Sequence, residues 1–252
     1  MSAAGHAPHV ASALSCVDIL VALYFEVARL DPGCPEAPDR DRILFSKGHA
    51  SAALYACLAE RGFFPLSHLA EYAQDGSMLG EHPTRLALPG IEMTSGSLGH
   101  GLGLGIGLGL AAKMDATGAR IFVVLSDGEC NEGSLWEAAL WAPAHALDNV
   151  VAVIDFNKLQ ATGRSTEITS LAPLAEKWRT FGWEAVEVDG HNIAELVRAL
   201  EAPMQGRPRA VVAHTVKGKG VSFMENDLEW HYRPPSADDL ARAFAELGGA
   251  ET

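Results

Sequence analysis

Three short segments, Ile121 to Leu125, Val150 to Ile154 and Ala210 to Thr215, are almost unbroken runs of apolar and β-branched residues. Such runs predict strands buried on both faces. Glu184 to Val188 and a possible edge strand at Ile43 to Phe45 extend the set. Between them the apolar positions recur at helical spacing, predicting helices over Leu14 to Arg29, Ala50 to Arg61, Leu98 to Met114, Leu135 to Leu147, Leu171 to Phe181 and Ile193 to Ala202. A last helix is expected over Ala237 to Leu247. Alternating strands and helices predict a doubly wound, mostly parallel α/β sheet with helices on both faces. At 252 residues the chain can build one sizeable core, so residues 1–252 are expected to form a single domain with a C-terminal helical tail.

The chemistry concentrates where two of these strands end. The first stops at Ser126-Asp127-Gly128-Glu129-Cys130-Asn131-Glu132-Gly133, and the second at Asp155-Phe156-Asn157-Lys158-Leu159. A strand, helix, strand unit makes its two strands parallel and brings Asp127 and Asn157 together at the carboxyl edge, where ligands of open α/β sheets collect. Magnesium wants near-octahedral oxygen and keeps phosphate oxygens and water among its ligands. A carboxylate from Asp127, an amide oxygen from Asn157 and a backbone carbonyl at Leu159 would suffice. Gly128 lets the backbone approach a diphosphate with no Cβ in the way. Alone, each motif reads as an ordinary turn or cap; joined by a crossover they favour the metal.

The pattern resembles the thiamine diphosphate signature, which opens on Gly-Asp-Gly, here with Ser126 for the first glycine, and closes on an asparagine after the following strand. Further segments resemble transketolases, in the family's order: His9-Val10-Ala11-Ser12-Ala13-Leu14 with Asp18-Ile19-Leu20; Asp41 through Ser51, containing Ser46-Lys47-Gly48-His49; Glu81-His82-Pro83; Thr94 through Gly101; and Lys217-Gly218-Lys219-Gly220 with Glu229-Trp230-His231. The resemblance implies a thiamine diphosphate-binding domain of the diphosphate (PP) type. It also implies transfer of a two-carbon ketol unit from a ketose to an aldehyde, with thiamine diphosphate and magnesium, or calcium or manganese in its place.

Residue by residue, the resemblance implies that His9, His82 and His231 bind substrate hydroxyls or move protons, work suited to an imidazole near neutral pH. It places His49, His231, Gly128, Glu129 and Asn157 on the cofactor, and the turn Gly96-Ser97-Leu98 against its thiazolium ring. Glu132, five residues after Asp127, matches a glutamate that joins a carboxylate relay between paired active sites; it is also an ordinary acidic residue for a first helical turn. His6 competes with His9 but at too long a spacing. His100 reads as a cap on the glycine-rich turn.

Glycine at every second position from Gly99 to Gly109 lacks the offsets of two and then three that a dinucleotide fingerprint needs. It suggests instead a helix packed closely against a neighbour. The apolar stretch from His100 to Lys113 is too short for a bilayer of about 30 Å. A formal net charge of -13 disfavours nucleic acid, and a membrane partner is not expected. Cys16, Cys34, Cys57 and Cys130 show no metal or CxxC spacing, and Met1 to Pro8 lacks a signal peptide's charged start and apolar core, so a cytoplasmic chain with free thiols is expected.

Transketolases also need a pyrimidine-binding domain, which carries the glutamate that activates the cofactor, and a third domain. The resemblance therefore implies the N-terminal subunit of a split transketolase. It would be inactive alone and would pair with a C-terminal subunit, most simply as α2β2, to act on sugars or sugar phosphates. The alternatives are another thiamine diphosphate carboligase, a 2-oxoacid decarboxylase, or a noncatalytic relative.

Overall fold

A computed structural model describes residues 1–248. Five parallel strands form one sheet: β1 (Arg42–Phe45), β2 (Ile121–Ser126), β3 (Val150–Phe156), β4 (Glu184–Asp189) and β5 (Arg209–His214), in the order β1-β2-β3-β5-β4. Every residue of β2 and β3 is buried. Phe122, Val124, Val151 and Val153 pack into a core on one face, and Ile121, Val123, Leu125, Val150, Ala152 and Ile154 into a second core on the other. This two-sided burial is why the strands read as unbroken apolar runs, with each large side chain stabilising the fold by about 1.5–3 kcal/mol. β2 and β3 are adjacent, with Ser126 opposite Asp155. The expected crossover geometry is therefore present.

Helices α3 (Ser51–Glu60), α4 (Gly101–Met114), α5 (Gly133–Ala144), α8 (Ile193–Glu201) and α9 (Ala237–Leu247) fall where apolar periodicity places them. α4 lies unusually close to the sheet. A methyl group on Gly101 would sit 2.3 Å from Ser46 Oγ, one on Gly105 2.4 Å from Val123 Cγ2, and one on Gly109 2.5 Å from Val150 Cγ2. These glycines are spaced by one turn on a single face, while Gly103 and Gly107 meet nothing within 4 Å. Half of the glycine ladder is thus a packing surface. α4 also begins three residues later than expected, because Gly96 and Gly99 at φ 147° and 86° turn the chain before it.

The helix expected over Leu14 to Arg29 is instead α2 (Val17–Val21) running into a π-helical segment, Ala22–Val27, and ahead of it lies a separate short helix, α1 (Val10–Leu14), broken from α2 at Ser15 and Cys16. The break has a local cause. The Ser12 carbonyl accepts from Lys47 Nζ at 3.0 Å and from Ser15 Oγ at 3.0 Å, while the Cys16 amide turns to Ala13 O at 3.2 Å. The site takes a carbonyl that the helix would have used. The helix expected from Leu171 begins only at Leu174, giving α7 (Leu174–Thr180), since Pro173 precedes it. Ser165–Ile168 adds a short helix, α6, that no apolar periodicity predicts.

Candidate active site

The carboxyl edge of the sheet opens into a cavity of about 390 Å³ lined by Asp127, Gly128, Asn157 and Leu159 from β2 and β3, and by His9, His49, His82 and His231. Asp127 is almost fully buried. Its Oδ1 accepts from the Gly128 amide at 2.8 Å, and its Oδ2 from the Lys158 amide at 2.8 Å and Ser165 Oγ at 2.7 Å. Burial outweighs those bonds and, with nearby Asp155, pushes the carboxyl up to about 6. A bound cation would stabilise a carboxylate buried in this way. The Asn157 amide oxygen accepts from the Leu159 amide at 3.0 Å, and the nitrogen faces Asp155 at 3.3 Å. Among the described residues no three His, Cys, Asp or Glu form a metal cage.

His9, the N-cap of α1, is held at a left-handed φ of 68° and meets His49 at 5.4 Å and His231 at 5.0 Å between ring centroids. His49 and His231 stack at 6.1 Å. His82 stands across the cavity, its Cδ2 3.3 Å from where a Gly96 methyl would lie. Residues more than 200 positions apart in the chain thus converge on one site, and His6 is outside it. Burial, with Lys217 and the other rings, lowers His9 to about 4 and His231 to about 3. All three rings of the cluster are neutral at pH 7, since His49 also lies well below its usual value through burial and Lys47.

These shifts have a stability consequence. As pH falls below about 6.5, the unfolded chain takes up protons that folded His9 and His231 refuse, so the folded state loses stability down to their folded values. Asp127, held above its ordinary value, acts the opposite way between 3.8 and about 6. The two imidazole shifts outweigh it even when discounted for partial solvent exposure. The melting midpoint of the metal-free chain is expected to fall between about pH 6.5 and 4.5, and the double variant His9→Gln, His231→Gln to flatten that slope. An unchanged slope would assign the acid sensitivity elsewhere.

Glu129 requires a correction. Expected on the cofactor, it is 0% exposed and does not line the cavity. Its Oε1 takes the Gly99 amide at 2.8 Å and the Ser46 hydroxyl, so the carboxylate ties the glycine-rich turn to β1 and β2. Gly96 and Leu98 line the cavity, but Ser97 does not. The Leu159 carbonyl has the Lys217 ammonium 3.5 Å away. Glu132 is exposed and lines the cavity.

Some residues of the site have no signature of their own in the sequence. Lys47 is 0% exposed and forms an ion pair with Asp155, itself 0% exposed. Burial alone would discharge both, but mutual attraction, with Ser15 and Thr215 also bonding Asp155, holds Lys47 above and Asp155 below their usual ranges. Lys217 donates to His231 Nδ1 at 2.5 Å, and burial together with Lys47 lowers it to about 8. The visible signal is their position inside matched segments, one residue after Ser46 and at the head of Lys217-Gly218.

The residues fit a metal-bound diphosphate. Asp127 and Asn157 present oxygens to a hard cation. The Gln160 Nε2 and His9 Nδ1 atoms, from two residues that line the cavity, are buried with no hydrogen-bond partner among the described residues, and such polar groups are stabilised by phosphate or water. The fold and cavity define a parallel α/β domain that carries an anionic cofactor at the carboxyl edge of its sheet.

Residues 2–251 match the family described as Transketolase, thiamine diphosphate binding domain. The 6-deoxy-6-sulfo-D-fructose transketolase subunit SqwG of Clostridium sp. is 43% identical over 95% of this chain and 88% of its own. An apulose-4-phosphate transketolase subunit of Phocaeicola vulgatus is 40% identical over 96% of this chain and 86% of its own. A Pichia stipitis transketolase solved with fructose 6-phosphate superposes with a TM-score of 0.91 at 29% identity over 98% of this chain, which spans 38% of that one. The chain belongs to the transketolase family. It corresponds to the N-terminal, thiamine diphosphate-binding subunit of a split transketolase and relies on a partner subunit.

Proposed function

We propose that the chain supplies the metal, diphosphate and substrate-histidine half of an active site that moves a two-carbon ketol unit from an anionic ketose to an aldehyde. The other half comes from a C-terminal subunit that carries the pyrimidine-binding domain, in an α2β2 assembly. One observation carries this: the oxygen pair Asp127 and Asn157 shares a cavity with His9, His82 and His231. When bound, thiamine diphosphate supplies the electron sink for the carbon–carbon cleavage.

The chain's own residues position and move protons. Asp127, Asn157 and the Leu159 carbonyl would hold the cation, and the Gly128 backbone would lie beside the diphosphate. Neutral His9 can accept a substrate hydroxyl proton, while His231, whose Nδ1 accepts from Lys217, has its Nε2–H to donate to a substrate oxygen. His82 reaches the substrate from the Gly96 side. Glu132 faces outward to join the carboxylates of the assembly. Sulfo and phosphate groups in the names of the two relatives' substrates support an anionic ketose. Leu104 and Leu140, exposed on α4 and α5, support a covered surface there. No helix of the described residues is long and apolar enough to cross a membrane, and the free cysteines support a cytoplasmic setting.

The test is ketol transfer from hydroxypyruvate to a short aldehyde, with thiamine diphosphate and magnesium, by the chain, its partner and their mixture. Activity is expected only in the mixture. Transfer from pyruvate alone, or none despite complex formation, would overturn the reading in favour of another carboligase or a noncatalytic relative.

A further inference from the structure

Tyr232 stands in the cavity with no role in the chemistry above. It is 62% exposed, yet its ring packs edge-on against His231 at 4.6 Å and His9 at 5.3 Å between centroids, and it lines the same space as Asp127. A large aromatic surface left open inside a polar cavity, beside two proton-transfer groups, is positioned to meet a bound molecule.

The turn that presents it is anchored on both sides. Trp230 is buried in a small core with Ala11, Val221 and Met224. The Arg233 guanidinium lies 4.3 Å over the Trp230 ring and pairs with Asp239 at 2.9 Å, which fastens the turn to α9. The Arg233 amide closes the turn on Glu229 O at 3.2 Å. Tyr232 is thereby held on a fixed backbone between two packed neighbours, and its ring cannot swing away from the mouth without breaking its contacts to His9 and His231.

We propose that Tyr232 determines specificity by length. Its ring occupies room that the distal carbons of a long sugar would need, and so favours short aldehyde acceptors. The inference rests on the reading that His9 and His231 face substrate. Exclusion is steric, through the bulk of the ring, and its hydroxyl plays no part.

The test uses the assembled enzyme with hydroxypyruvate as donor and glycolaldehyde, glyceraldehyde, erythrose and ribose as acceptors. Tyr232→Ala is expected to raise kcat/KM for ribose relative to glycolaldehyde by about tenfold, the scale on which a binding pocket discriminates by size. Most of the change should lie in KM. Tyr232→Trp should move the ratio the opposite way, and Tyr232→Phe should keep the parent ratio. A parallel response to all four acceptors in the Ala and Trp variants overturns the proposal, as does a loss confined to affinity for the partner subunit, which would make Tyr232 an interface residue. Failure of the parent reading would look different: the unaltered enzyme would transfer to none of them.

Discussion

Asp127→Ala is expected to abolish magnesium-dependent binding of thiamine diphosphate by the assembled enzyme. On the proposed reading the carboxylate is the anionic oxygen donor that the described residues offer the cation, and Asn157 and Leu159 would contribute neutral oxygens. The loss should therefore exceed the roughly 10–100-fold that removal of an outer-shell partner costs a metal site. Misfolding can be separated from ligand loss. Burial holds Asp127 up to about 6 in the metal-free chain, so at neutral pH its charge opposes folding. Asp127→Asn, which keeps an acceptor for the surrounding amides and Ser165, should leave the metal-free chain at least as stable above pH 6 while it too loses the metal. Isothermal titration of cofactor at several magnesium concentrations, beside a thermal melt, reads both quantities. Undiminished affinity would remove Asp127 from the metal site.

Lys47→Met is expected to be the most damaging single change to stability, by about 3–5 kcal/mol, because it leaves Asp155 buried without its cation. Ser15 donates to Asp155 at 2.6 Å and Thr215 also bonds it, but neutral hydroxyls do not replace an ammonium in a fully buried site. Removing both charges in Lys47→Met, Asp155→Leu should recover much of the loss, and urea denaturation of the four proteins gives the coupling. The pH dependence has a defined sign. In the single variant burial holds Asp155 above its ordinary range, so the carboxyl becomes neutral on acidification and the deficit shrinks. A deficit that grows as pH falls would show that Lys47 acts by packing and not by charge.

The order of strands and helices, the adjacency of β2 and β3, and the meeting of Asp127 with Asn157 were legible because each follows from a local pattern plus the handedness of a crossover. The close packing of α4 was legible for a similar reason: glycine in a helix interior is costly unless a neighbour needs the space. Other features depend on partners remote in the chain. Nothing near Ser12 tells that Lys47 will take its carbonyl and break the first helix. Glu129 has the position of a cofactor residue in a motif, and only the approach of Ser46 and Gly99 turns its side chain inward. The Lys47–Asp155 pair joins residues 108 positions apart. Tyr232 was hidden for a different reason: a tyrosine after a matched histidine has no pattern of its own, and its meaning comes from which cavity it faces.

The glycines of α4 also bear on how the chain reaches this structure. A helix with glycine at Gly101, Gly103, Gly105, Gly107 and Gly109 gives up about 0.5–1 kcal/mol at each interior glycine relative to alanine, and a segment of its length is marginal in water even with better residues. Its glycine face packs closely against Ser46, just past the end of β1, and against Val123 on β2 and Val150 on β3. α4 is therefore expected to form together with β1, β2 and β3 and not ahead of them. The turn from Gly96 to Gly101, held by Glu129 at the head of that helix, is expected to become ordered only together with those strands, so this wall of the cavity depends on the sheet behind it.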